Sequence, residues 1–117
     1  MHGVGLFQWQ DGKLYIGEWR DNFMEGEGFF LTKDHKAYLG DFKKDSKSGN
    51  GIYLWPEGKA YNGQWEKGKQ HGVGFFIARN ANASELVIRK GVWLNGKRLS
   101  WFDDDITNSE KTEQYFQ

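Results

Sequence analysis

Tyr38-Leu39-Gly40-Asp41-Phe42, six polar residues, then Gly49-Asn50-Gly51-Ile52-Tyr53-Leu54: this stretch recurs along the chain and decides its fold. Upstream stand Tyr15-Ile16-Gly17-Glu18-Trp19 and Gly26-Glu27-Gly28-Phe29-Phe30-Leu31. Downstream stand Tyr61-Asn62-Gly63-Gln64-Trp65 and Gly72-Val73-Gly74-Phe75-Phe76-Ile77. Gly3, Gly26, Gly49 and Gly72 are each 23 residues apart, and Gly5, Gly28, Gly51 and Gly74 follow two residues behind. Self-similarity at a fixed period of this size marks a repeat architecture, in which each unit is one supersecondary element. A fourth copy, Arg89-Lys90-Gly91-Val92-Trp93, comes 28 residues after the third. The five extra residues fall within Ala78 to Leu86, read as a lengthened polar loop. This copy has Arg89 where Tyr is expected and Ser100-Trp101-Phe102 where Gly-x-Gly is expected, so the array should end there.

Within each unit the period is two. Tyr15, Gly17 and Trp19 share one strand face, and Ile16 and Glu18 share the other. A glycine between two rings leaves a bare patch, expected to admit a ring from the neighbouring hairpin. Glycine weakens a strand by itself, so ring packing must compensate. Trp55-Pro56-Glu57-Gly58 reads as a type I turn closed by a left-handed glycine, with Gly12 and His35 at the equivalent places. The other turn places Asn22, Asp45, Gly68 and Gly96 where the left-handed region is tolerated. Two turns and two strands per unit give one β-hairpin per repeat.

Composition narrows the function. Sixteen Lys plus Arg balance sixteen Asp plus Glu, so the net charge is zero. That removes the surplus of positive charge that nucleic-acid binding needs, and no nucleic-acid partner is expected. With no Cys there is no disulfide framework and no thiol nucleophile or thiolate metal site. Met1-His2-Gly3-Val4-Gly5 lacks the regions of a signal peptide, and no apolar run approaches the ~20 residues that span a bilayer. Six Trp, five Tyr and nine Phe stand against few aliphatic residues, so the core must be built from rings.

Catalytic groups are hard to assemble from this chain. The spacing of His2, His35 and His71 matches no metal motif. Asp103-Asp104-Asp105 reads as a solvated acidic run, because no EF-hand spacing follows it. The Gly-x-Gly copies lead into strands instead of helices, so they are not phosphate loops. Asn82-Ala83-Ser84 matches a glycosylation sequon, but nothing points to secretion. No enzyme activity, cofactor or metal is expected.

Tyr-x-Gly-x-Trp, a short polar turn, then Gly-x-Gly and an apolar strand resembles the MORN repeat (membrane occupation and recognition nexus) over residues 1 to about 99. The resemblance implies an all-β fold: an elongated, twisted, single-layer antiparallel sheet of tandem hairpins with a groove along one face. The repeats divide as a half repeat 1–14, full repeats 15–37, 38–60 and 61–88, and an atypical last repeat 89–102. Residues 103–117 follow as an acidic tail or a short capping helix, the latter suggested by Thr107 and Glu110.

The resemblance also implies binding and scaffolding: cytoskeletal or ciliary assemblies, membrane junctions, appendages to catalytic domains. The first expectation is a cytoplasmic scaffold holding a protein partner along an aromatic face, with Phe29, Phe30, Tyr53, Trp55, Phe75 and Phe76 as partner-binding candidates. An alternative is recognition of phosphoinositide or acidic lipid at a membrane by Lys43, Lys44, Lys47, Lys67 and Lys69, read as lying on the polar turns at one end of the hairpins. A further alternative is a homo-oligomer formed through the terminal repeat.

Overall fold

The computed structural model describes residues 2–79 and 85–102. Their strands are β1 (Gly3–Gln8), β2 (Leu14–Arg20), β3 (Phe23–Leu31), β4 (Ala37–Lys43), β5 (Ser46–Leu54), β6 (Ala60–Glu66), β7 (Lys69–Arg79), β8 (Leu86–Leu94) and β9 (Lys97–Trp101). All nine lie in one antiparallel sheet in sequence order, with β1 and β9 at its edges. This is the expected all-β array of tandem hairpins. The expected tail or capping helix, 103–117, lies outside the described residues.

The lengthened loop needs correction. β7 and β8 continue their ladder through Ala78↔Val87 and Arg79↔Leu86. The insertion therefore lengthens the hairpin by strand at both sides of its tip, and residues 80–84 lie outside the described residues. Leu86-Val87-Ile88 is aliphatic and largely β-branched, which suits a half-buried strand better than a loop.

The tight turns are two-residue hairpins with both central residues at positive φ: Asp21 and Asn22, Lys44 and Asp45, Lys67 and Gly68, Asn95 and Gly96. This twist matches that of the flanking strands. The last three of these turns also lean on the repeat before them. The amides of Asp45, Gly68 and Gly96 donate to the carbonyls of Met24, Lys47 and Gln70 at 3.0, 2.9 and 2.8 Å. One repeat is thereby tied to the next outside the strand ladder.

Each Gly-x-Gly holds two glycines with different duties. Gly26, at φ 86°, sits where the β2–β3 ladder shifts register and the strand must bulge. The following amide, on Glu27, is taken by the Glu18 carboxylate at 2.6 Å, and the same bond recurs from Asn50 to Asp41 and from Val73 to Gln64. The second x of Tyr-x-Gly-x-Trp is thus an acceptor for the bulge in every full repeat. Gly28 faces Gly17 across the strands. A methyl on Gly28 would collide with the Tyr15 ring, and one on Gly17 would come 2.5 Å from the Gly28 Cα. The ring over the glycines is therefore the repeat's own tyrosine, not one from the neighbouring hairpin as the sequence suggested. The Tyr15 hydroxyl reaches past them to donate to the Glu18 carbonyl at 2.8 Å, and Tyr38 and Tyr61 do the same to Asp41 and Gln64.

These flattened tyrosines link into a continuous herringbone. Trp19 meets Tyr15 at 5.0 Å, Tyr15 meets Phe42 at 5.2 Å, and Phe42 meets Tyr38 at 5.0 Å. Tyr38 then meets Trp65 at 5.4 Å, Trp65 meets Tyr61 at 5.2 Å, and Tyr61 meets Trp93 at 4.8 Å. All six contacts are edge-to-face, the arrangement that aligns a positive ring edge with a negative ring face. Tyr15, Tyr38 and Tyr61 are fully buried, so this row is the core of a sheet one layer thick. Desolvation raises the pKa of all three and so opposes their ionisation; Tyr15 and Tyr61 rise to about 12.

The other face is built differently. The register sets Leu6, Ile16, Phe29, Leu39 and Ile52 in one row across the strands. A second row runs through Leu14, Leu31, Ala37 and Leu54. Leu6, Ile16, Leu39 and Leu54 are exposed.

Candidate binding groove

Above the herringbone, the same face carries the ring of each second strand. Phe30, Tyr53 and Phe76 stand opposite Tyr15, Tyr38 and Tyr61 in the register and are partly buried against the core row. Trp55 joins them, 4.6 Å from Tyr53 and 6.3 Å from Phe76, so it spans two repeats. Trp9 does the same between Phe7, at 4.7 Å, and Phe30, at 5.8 Å. Of the six aromatic candidates, the structure therefore brings together Phe30, Tyr53, Trp55 and Phe76. Phe29 and Phe75 lie on the opposite face, because they alternate with their neighbours in strands of period two. Trp9 was missed; its only signal was its place 46 residues before Trp55, two repeat lengths.

Two hollows open along this face, of about 470 and 210 Å³. Their linings are related by one repeat. Phe7 and Phe30 wall the first; Phe30 and Tyr53 wall the second. Trp19 becomes Phe42, Lys13 becomes Lys36, and Met24 becomes Lys47. Met24, Phe30 and Asp45 belong to both, so the two hollows adjoin in a single groove running across the strands.

Lys47 distinguishes the second hollow. The alternation of β5 points it into the groove, where Met24 sits in the preceding repeat and Gln70 in the following one. Its ammonium lies 5.4 Å from the Trp65 ring, 5.5 Å from Tyr53 and 5.8 Å from Tyr38. Rings at this distance attract a cation through their negative faces. Burial nevertheless pushes its ionisation below the usual lysine value. Lys13 and Lys36, on the margin, pair with Asp11 at 3.4 Å and Asp34 at 3.7 Å. No carboxylate among the described residues lies within ion-pair distance of Lys47.

The five lysine candidates accordingly separate. Lys47, expected on a polar turn at the end of the hairpins, belongs to the groove. Lys43, Lys44 and Lys67 line a hollow at the turn end with Ser46, Ser48 and Glu66. Lys69 is an exposed residue opposite Glu66 in the β6–β7 ladder. Glu66 itself lies 3.0 Å from His71 Nε2. Among the described residues, no group of three or more His, Cys, Asp or Glu could hold a metal ion.

The last hairpin carries different chemistry on the same face. Arg89 takes the tyrosine position opposite Phe76, and Trp101 stands opposite Gly91, where each full repeat has a second glycine. The Trp101 ring lies against Gly91, replacing the missing tyrosine from the partner strand. The Arg89 guanidinium stacks 4.0 Å from the Trp101 ring centre, and Arg98 stacks at 4.5 Å. Trp101 also meets Trp93 edge-on at 5.8 Å, continuing the herringbone to its end.

A family model described as MORN repeat matches residues 1–13, 15–35, 38–59 and 61–81. No curated protein matches the chain at a significant level.

Proposed function

Because the chain belongs to the MORN-repeat family, whose non-catalytic repeats are protein- and membrane-interaction modules, we propose that it is a non-enzymatic scaffold that holds a segment of a partner protein along its aromatic groove. The observation that supports this is the pair of adjoining hollows, lined by the same positions of successive repeats and walled by half-buried rings. Such rings offer large contact area at little further cost in conformational entropy, which suits recognition. A cytoplasmic, cytoskeleton- or membrane-associated assembly is the setting we assign.

Affinity capture from the native cell tests this reading. Phe30→Ser and Tyr53→Ser, each verified as folded by its melting curve, should lose the partner. Leu39→Ser on the opposite face should keep it. Capture that survives both groove changes, or that is lost with Leu39→Ser, sinks the assignment.

A second reading rests on the hollow formed by Lys43, Lys44 and Lys67, which could take an acidic lipid headgroup. Co-sedimentation with phosphoinositide vesicles that falls steeply with salt supports it; none at low salt dismisses it. Self-association through the edge strands β1 and β9 would show as a concentration-dependent mass in light scattering.

A further inference from the structure

We propose that the groove takes an acidic, proline-rich segment in the polyproline II conformation, one helical turn per repeat, with a carboxylate set against the Lys47 ammonium. This rests on the groove being the partner site and adds what the partner is.

The first argument is spacing. One repeat advances the groove by two strands, about 9.4–9.8 Å. A polyproline II helix has three residues per turn and a rise of about 3.1 Å, so it repeats every ~9.3 Å and presents every third residue to the same side. An extended β-segment presents the same side every ~6.7 Å, and no small multiple of that matches the repeat. An α-helix returns to one face after seven residues, about 10.5 Å, and so drifts by roughly 1 Å at each hollow. Over successive hollows polyproline II stays in step and the other two do not.

The second argument is the lining. Trp19 and Phe42 floor the two hollows, and Phe7, Phe30 and Tyr53 divide them into ring-walled slots. Flat proline rings seat between aromatic walls, and their restricted backbone loses little freedom on docking.

The third is charge. Lys13 and Lys36 already have carboxylate partners at the margin, whereas Lys47 has only ring faces. The Asp45 carboxylate, which also lines the hollow, accepts the Met24 amide at 2.8 Å. Burial leaves the Lys47 ammonium short of solvation, and a carboxylate from the partner restores it. Among the second hollow's cations, Lys47 is the one whose counter-charge the described chain does not supply.

The test uses synthetic peptides and the fluorescence of groove tryptophans such as Trp9 and Trp19. An oligoproline with one central glutamate, its glutamine twin, and an alanine-rich helical peptide with leucine at every seventh position are titrated in turn. Both the intact chain and Lys47→Met are used. The variant should fold, because Met24 fills the equivalent position one repeat earlier. The glutamate oligoproline should bind the intact chain about tenfold more tightly than its glutamine twin, and this preference should vanish in Lys47→Met. Failure of the oligoprolines to bind, tighter binding of the helical peptide, or a glutamate preference that survives Lys47→Met overturns the proposal. Helical-peptide binding that is lost in Phe30→Ser would overturn it while leaving the groove as the partner site.

Discussion

The two faces of this sheet come from the same strands, residue alternating with residue, yet the ring core lies on only one of them; on the other, Ile88 near the end of the array is the fully buried side chain among the described residues. On the groove side Tyr15, Tyr38 and Tyr61 are fully buried; directly behind them Leu6 and Leu39 remain 61% and 54% exposed. The difference is one of shape. A tyrosine can lie flat along the sheet over a pair of glycines and still touch the ring of the next repeat. Leu6, Ile16 and Leu39 stand upright on the pleat, where an aliphatic side chain reaches chiefly its cross-strand neighbours. A single layer can therefore bury one face with its own side chains, provided that face is aromatic and the residues beneath it are glycine. Stability resides in the lower row of rings, and we propose that the upper row serves recognition.

Several measurements would break or sharpen this contrast. Tyr38→Ala removes the link between Phe42 and Trp65 and should cost about 3–5 kcal/mol in denaturant unfolding. Leaving that link in place but adding a methyl beneath it, Gly51→Ala, should cost about 1–3 kcal/mol, since the Tyr38 ring must shift.

Alkali acts on the same row. The folded tyrosines ionise above their unfolded value of 10.0, so their contribution is complete below that pH. For Tyr15 and Tyr61 it is lost as pH rises toward about 12. A pH series of unfolding curves should fall above pH 10, with the phenolate absorbance of Tyr15, Tyr38 and Tyr61 appearing as the sheet unfolds. Tyr38→Phe keeps the ring and removes the hydrogen bond to the Asp41 carbonyl, a loss of about 1 kcal/mol in the same assay. On the opposite face, Leu39→Ser should change stability by less than about 0.5 kcal/mol. A loss there comparable to Tyr38→Ala would show that both faces hold the fold.

Most of the architecture was legible in the residues. The 23-residue period, the strand alternation and the turn positions Asn22, Asp45, Gly68 and Gly96 follow from local chemistry, where each residue type limits its own backbone. The first turn residues escaped notice, because Lys44 and Lys67 carry no preference for positive φ and are held there by the two-residue loop. The candidate site was half legible. Alternation places Phe30 and Phe29 on opposite faces, but it does not say which face is the groove.

The sequence alone determined that this chain is an array of hairpins and where the register holds, since period and turn chemistry act within a few residues. Tertiary structure decided how the rings lie and which partner each one meets. Tyr15 covers its own glycines, Lys47 enters a cage of three rings, and Trp101 with Arg89 replaces a tyrosine-and-glycine pair at the end of the array. Those outcomes depend on side-chain direction across neighbouring strands. No single stretch of sequence carries all of that information, because Tyr15, Tyr38 and Tyr61 each also meet a ring of the next repeat.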